Sequence, residues 1–69
     1  MTLEELTEHE RQILKQRCTE AQLEAVERYD RGHGIRAIAA MLQISPTAVR
    51  DRLEAARRHL HHAREDNAA

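Results

Sequence analysis

The chain has no phenylalanine and no tryptophan, and only one tyrosine, one cysteine, one proline and two glycines. Each shortage excludes something. Without large aromatics, and with alanine supplying much of the apolar fraction, 69 residues can assemble only a thin core, worth roughly 3–5 kcal/mol in a domain of this size. Marginal stability, or support from a partner or a second copy, is expected. The lone Cys18 rules out an internal disulfide, which suits a reducing compartment, and no motif that marks an activated thiolate accompanies it. No apolar run approaches the ~20 residues of a membrane span, and the acidic N-terminal stretch has no export pattern. A cytoplasmic protein without membrane contact is therefore expected. Glycine-rich phosphate loops, nucleophile elbows and paired-carboxylate arrangements are also missing, so neither catalysis nor a cofactor is expected.

The charge is more informative in its distribution than in its net value of −1. Residues 1–30 hold eight acids against four bases, residues 31–64 hold seven arginines against two acids, and Glu65 and Asp66 follow. Basic charge confined to the second half is the footprint of a phosphate-binding surface, although arginines that merely solvate a helix face would give the same count.

Good helix formers dominate and period-two alternation is absent, which predicts an all-α fold of four helices. Thr2 with Glu5, and Thr7 with Glu10, each fit a capping box. A first helix is expected to begin at one of them and run to about Arg17, with Leu3, Leu6, Ile13 and Leu14 as apolar positions interrupted by His9 and Glu10. So weak a stripe fits an added packing layer, a dimer contact or a surface for another protein. Thr19 with Gln22 opens a second helix with Leu23, Val26 and Tyr29 inward, and Gly32 should end it in a left-handed conformation.

Residues 35–53 carry the pattern of a helix-turn-helix. Ile35, Ile38, Ala39 and Leu42 lie on one face of a third helix, and a three-residue turn follows. Ser45 then stands where an N-cap is wanted and Pro46 at the first helical position, where its missing N–H costs nothing. Val49, Leu53, Ala56 and Leu60 form one narrow stripe of a fourth, long helix running to about Arg64. The expected organisation is an N-terminal packing or partner-binding helix over 1–18, a helix-turn-helix domain over 19–64, and a disordered polar tail over 65–69.

The segment from Thr19 to Leu60 resembles region four of bacterial sigma factors, particularly the extracytoplasmic-function type. The resemblance rests on Thr19-Glu20, Val26, Arg28-Tyr29, Gly32, Ile38-Ala39, Leu42, Ile44-Ser45, Val49-Arg50, Arg52-Leu53 and Ala56-Arg57. It implies that Ala39 and Val49 meet where the two motif helices cross, that the fourth helix reads a DNA major groove, and that RNA polymerase is a conceivable partner. The chain departs from the pattern at Gln43, where the family has glycine in the turn, at Gly34, which replaces a capping residue, and at Pro46 and Asp51, which replace residues that approach bases. No segment resembling region two is present, so promoter opening is not implied.

With the Val49 stripe facing inward, steps of about 100° per residue place Thr47, Arg50, Asp51 and Glu54 outward, next to Ser45. Arg50 suits a bidentate contact to guanine, while Asp51 or Glu54 could accept from a cytosine amino group. Arg36, Arg57 and Arg58 suit phosphates. The plainer alternative for Arg50 is an i, i+4 ion pair with Glu54, worth about 0.2–0.5 kcal/mol. His59, His61 and His62 favour the negative end of the helix dipole, and no nearby Cys or acid completes a metal set with them, so no metal site is expected. The sequence thus points to a homodimeric transcription regulator that binds double-stranded DNA through its last helix. The alternative is a region-four mimic that binds RNA polymerase or a transcription factor instead of DNA.

Overall fold

The computed structural model describes residues 6–68, all-helical apart from short connections. The order is α1 (Glu8–Arg17), α2 (Glu20–Asp30), α3 (Ile35–Leu42) and α4 (Pro46–Ala68). Leu3 and the capping box expected at Thr2 lie outside the described residues.

Local chemistry fixes each helix start. The Thr7 hydroxyl accepts from the Glu10 N–H at 3.1 Å, and the Glu10 carboxylate accepts from the Thr7 N–H at 3.1 Å. Thr19 and Gln22 make the same reciprocal pair for α2, at 3.1 and 3.2 Å. The Ser45 hydroxyl accepts from the Ala48 N–H at 3.1 Å, with Pro46 opening α4. Only α3 starts without a side-chain cap, because its N-cap is Gly34.

The helix ends are equally specific. Gly32 adopts φ +102°, and two bonds close the end of α2: the Gly32 N–H donates to the Tyr29 carbonyl and the His33 N–H to the Arg28 carbonyl. Gln43 takes the left-handed conformation, φ 57° and ψ 44°, that most often falls to glycine, and the Ile44 N–H then reaches the Ala39 carbonyl at 3.0 Å. A side chain in that region costs about 1–2 kcal/mol. The turn accepts that strain to re-aim the chain into α4.

α4 is the spine. At about 1.5 Å per residue its 23 residues extend roughly 34 Å of a molecule 40 Å long, and α1, α2 and α3 all pack against it. The buried core joins Leu14 of α1, Ala25 and Val26 of α2, Ile38 and Ala39 of α3, and Val49, Leu53, Ala56 and Leu60 of α4. Three of these nine are alanines, which let the helices approach closely but leave little area to bury. Leu14 is 1% exposed, so α1 belongs to the core and is not a loose arm. Ion pairs fasten it further: Arg11 to Asp30 of α2 at 2.9 Å, and Glu10 to Arg64 of α4 at 3.2 Å.

Two expectations need correction. Glu10 does not merely interrupt the apolar stripe of α1. It is buried, and its carboxylate serves both the cap and Arg64. Nor does α4 stop near Arg64: it continues to Ala68, through most of what was expected to be a disordered tail. No glycine or proline follows Pro46 to end the helix, so the polar composition of 65–68 did not break it.

Candidate nucleic-acid interface

The helix-turn-helix is present as two helices and a three-residue turn, with Ile38, Ala39, Val49 and Leu53 buried between them. That burial fixes which side of α4 faces outward. Arg50, Asp51, Glu54, Arg57 and Arg58 are all exposed, as is Thr47 in the first turn, and Arg36 is exposed in the first turn of α3. The positions expected from the helical stripe thus share one surface.

Their pairing differs from residue to residue. Glu54 does not pair with Arg50, as the simplest alternative suggested. Its Oε1 accepts from Nη1 of Arg57 at 2.6 Å. The direction has a physical reason, since an acid preceding a base along a helix is favoured over the reverse order. Arg36, Arg50 and Arg58 make no ion pair or side-chain hydrogen bond among the described residues, and Asp51 makes none either. The Ser45 hydroxyl already accepts the capping bond from Ala48, which leaves its O–H and one lone pair for an outside partner.

Past the motif, a shallow recess of about 280 Å³ is lined by Arg57, Arg58, Leu60, His61 and Arg64. It extends the basic surface by two further turns. The histidines separate in space. His59 is half-buried with Nε2 at 3.3 Å from the Gln22 side chain, tying α4 to the start of α2. His61 and His62 are exposed, and Glu65 lies between them at 2.9 and 3.7 Å. The sequence reading overlooked that acid. Among the described residues, no three His, Cys, Asp or Glu side chains are arranged so that they could hold a metal ion.

On the opposite, acidic half, Glu8, Glu20, Glu24 and Glu27 are exposed on α1 and α2. Glu24 holds Arg28 at 3.1 Å, and the Arg28 guanidinium also lies 3.9 Å from the Met41 sulfur, at the one exposed large apolar side chain among the described residues. Cys18, between α1 and α2, is half-buried, and that burial pushes its thiol above the ordinary 9.0. It packs against the core cluster. No helix is long and apolar enough to cross a membrane among the described residues. No family model, no curated protein and no solved structure matches the chain.

Proposed function

We propose that the protein is a small transcription regulator that binds double-stranded DNA in a sequence-specific manner, with the N-terminal half of α4 in the major groove. The observation that supports this reading is the set of exposed, unpaired cations, Arg36, Arg50 and Arg58, around a helix-turn-helix whose other face is committed to the core. An arginine already paired within the protein must break that pair to reach DNA. Arg50 has none to break. In this reading Arg50 contacts guanine, Thr47 and Asp51 stand beside it over neighbouring bases, and Arg36 and Arg58 hold phosphates on either side. A single module of this kind buries roughly 600–1,000 Å², at the low end for specific recognition, so two copies on a two-fold site are proposed.

Fluorescence anisotropy with duplexes selected from a random pool tests the reading. Affinity should fall steeply between 50 and 200 mM salt, as phosphate contacts require. Arg50→Ala should cost about 1–3 kcal/mol, roughly 5- to 150-fold, on the selected duplex. Full affinity in that variant would overturn the assignment. A second reading, a region-four mimic that binds RNA polymerase or a transcription factor, draws on the exposed acids of α1 and α2 and on the unpaired Asp51. Capture of polymerase subunits by protein that ignores DNA at low salt would favour it.

A further inference from the structure

We propose that the Glu54–Arg57 pair couples base reading to phosphate contact: it withholds Arg57 from DNA of the wrong sequence and releases it where Glu54 meets a cytosine amino group. The inference rests on the DNA-binding reading above.

Two of the ion pairs that α4 makes are built differently. In Glu10–Arg64 the carboxylate is 11% exposed and also holds the Thr7 N–H, so it is anchored from two sides. In Glu54–Arg57 both side chains are about half exposed, 48% and 44%, and Arg57 is the only partner that Glu54 has among the described residues. Such a pair opens easily and swaps partners when better ones are offered. At about 1.5 Å per residue, Glu54 lies roughly 6 Å beyond Arg50 along α4 and Arg57 roughly 10.5 Å beyond it. The major groove is about 12 Å wide. With Arg50 over a base edge, Glu54 is still above bases and Arg57 has reached the phosphate wall.

A carboxylate in the groove is repelled by phosphate charge unless something satisfies it. Opposite most base edges, with Arg50 on guanine and Arg58 on a phosphate, the donor left to Glu54 is Arg57, so the pair stays closed and its charges cancel. The cytosine N4 amino donor has an acceptor on one side only, the O6 of its paired guanine, whereas the adenine amino group lies between its own N7 and the O4 of the paired thymine, two acceptors that repel a carboxylate. Over cytosine, Glu54 transfers its hydrogen bond from the guanidinium to the base, and the freed Arg57 turns to a phosphate. One correct base thereby creates two contacts, one of them insensitive to sequence by itself.

The coupling is readable as a difference in salt dependence. Each phosphate neutralised adds about 0.9 to the slope of log K against log salt. Anisotropy titrations would compare the selected duplex with single-pair variants in which each C·G is changed in turn. For the unmodified protein, one such change should lower the slope by about 0.9. In Glu54→Gln the slopes on the two duplexes should coincide, and Arg57→Gln should lower the slope on the selected duplex only. Equal slopes for the unmodified protein, or a difference that survives in Glu54→Gln, would overturn the coupling while Arg50→Ala still damages binding. If the protein binds no duplex, or selection enriches none, the DNA-binding reading itself fails and the coupling with it.

Discussion

The chain's two glycines stand two residues apart on either side of His33, and the structure assigns opposite signs to the same substitution at each. An added Cβ would meet no atom within 4 Å at either position, so side-chain crowding does not enter. Only the backbone differs. Gly34 has φ −77° and ψ 167°, an extended conformation open to any residue. Serine there restricts the unfolded chain without straining the folded one and is a favoured N-cap residue for α3, so it should stabilise by about 0.4–1 kcal/mol or more. Gly32 has φ +102°, a conformation L side chains rarely adopt. Serine there meets a strain of about 1–2 kcal/mol, offset only in part by the same unfolded-state gain, for a net loss of roughly 0.5–1.5 kcal/mol. In a domain of this size 1 kcal/mol shifts the melting temperature by roughly 4–8 °C, within easy reach of circular dichroism. Gly34→Ser should therefore melt higher than the unmodified chain and Gly32→Ser lower. Shifts of the same sign would refute the reasoning, because they would mean that the α2–α3 corner does not hold these two conformations.

Leu14→Ala tests whether α1 is part of the folding unit: deleting a side chain 1% exposed should cost about 2–5 kcal/mol, comparable to everything so thin a core supplies. A shift of the urea midpoint worth less than 1 kcal/mol would show that α1 is dispensable. Burial raises the Cys18 thiol above 9.0 in the folded state, so the folded chain holds that proton more tightly than the unfolded one. Its contribution is complete below pH 9 and is lost as pH rises through the folded value. Cys18→Ala should flatten the alkaline fall in urea midpoint between pH 8 and pH 10, and an unchanged fall would exclude this source.

What the sequence revealed is what short-range chemistry decides. The pairs Thr7 with Glu10 and Thr19 with Gln22, the sequence Ser45-Pro46, and Gly32 all act within one turn, and each marks a real boundary. The stripe Val49, Leu53, Ala56 and Leu60 is buried because a 3.6-residue period leaves those side chains no other direction. The burial of Glu10 was not legible, since its partner Arg64 lies 54 residues away and only the docking of α1 brings them together. Helical spacing offered Arg50 as the partner of Glu54, and spacing alone did not settle the pairing. The structure did, and the choice leaves Arg50 unpaired. The extension of α4 past Arg64 was hidden by polar residues that neither favour nor forbid a helix.

The pairing pattern divides α4 into two functional lengths. Near its C-terminal end Arg64 is tied to Glu10, and Leu60 and Ala63 are buried, so this half holds the bundle together. Near its N-terminal end Arg50 and Asp51 carry no ion pair among the described residues, and nothing in the fold depends on their charges. About 21 Å of helix separates Arg50 from Arg64, far beyond the range over which substitutions usually interact. In the proposed DNA-binding reading, the residues that meet DNA can therefore vary without changing those that keep α1 docked. With so little core to spare, that separation matters more here than in a larger domain. If the presenting residues also held the bundle, each change of target would put at risk a stability of only a few kcal/mol.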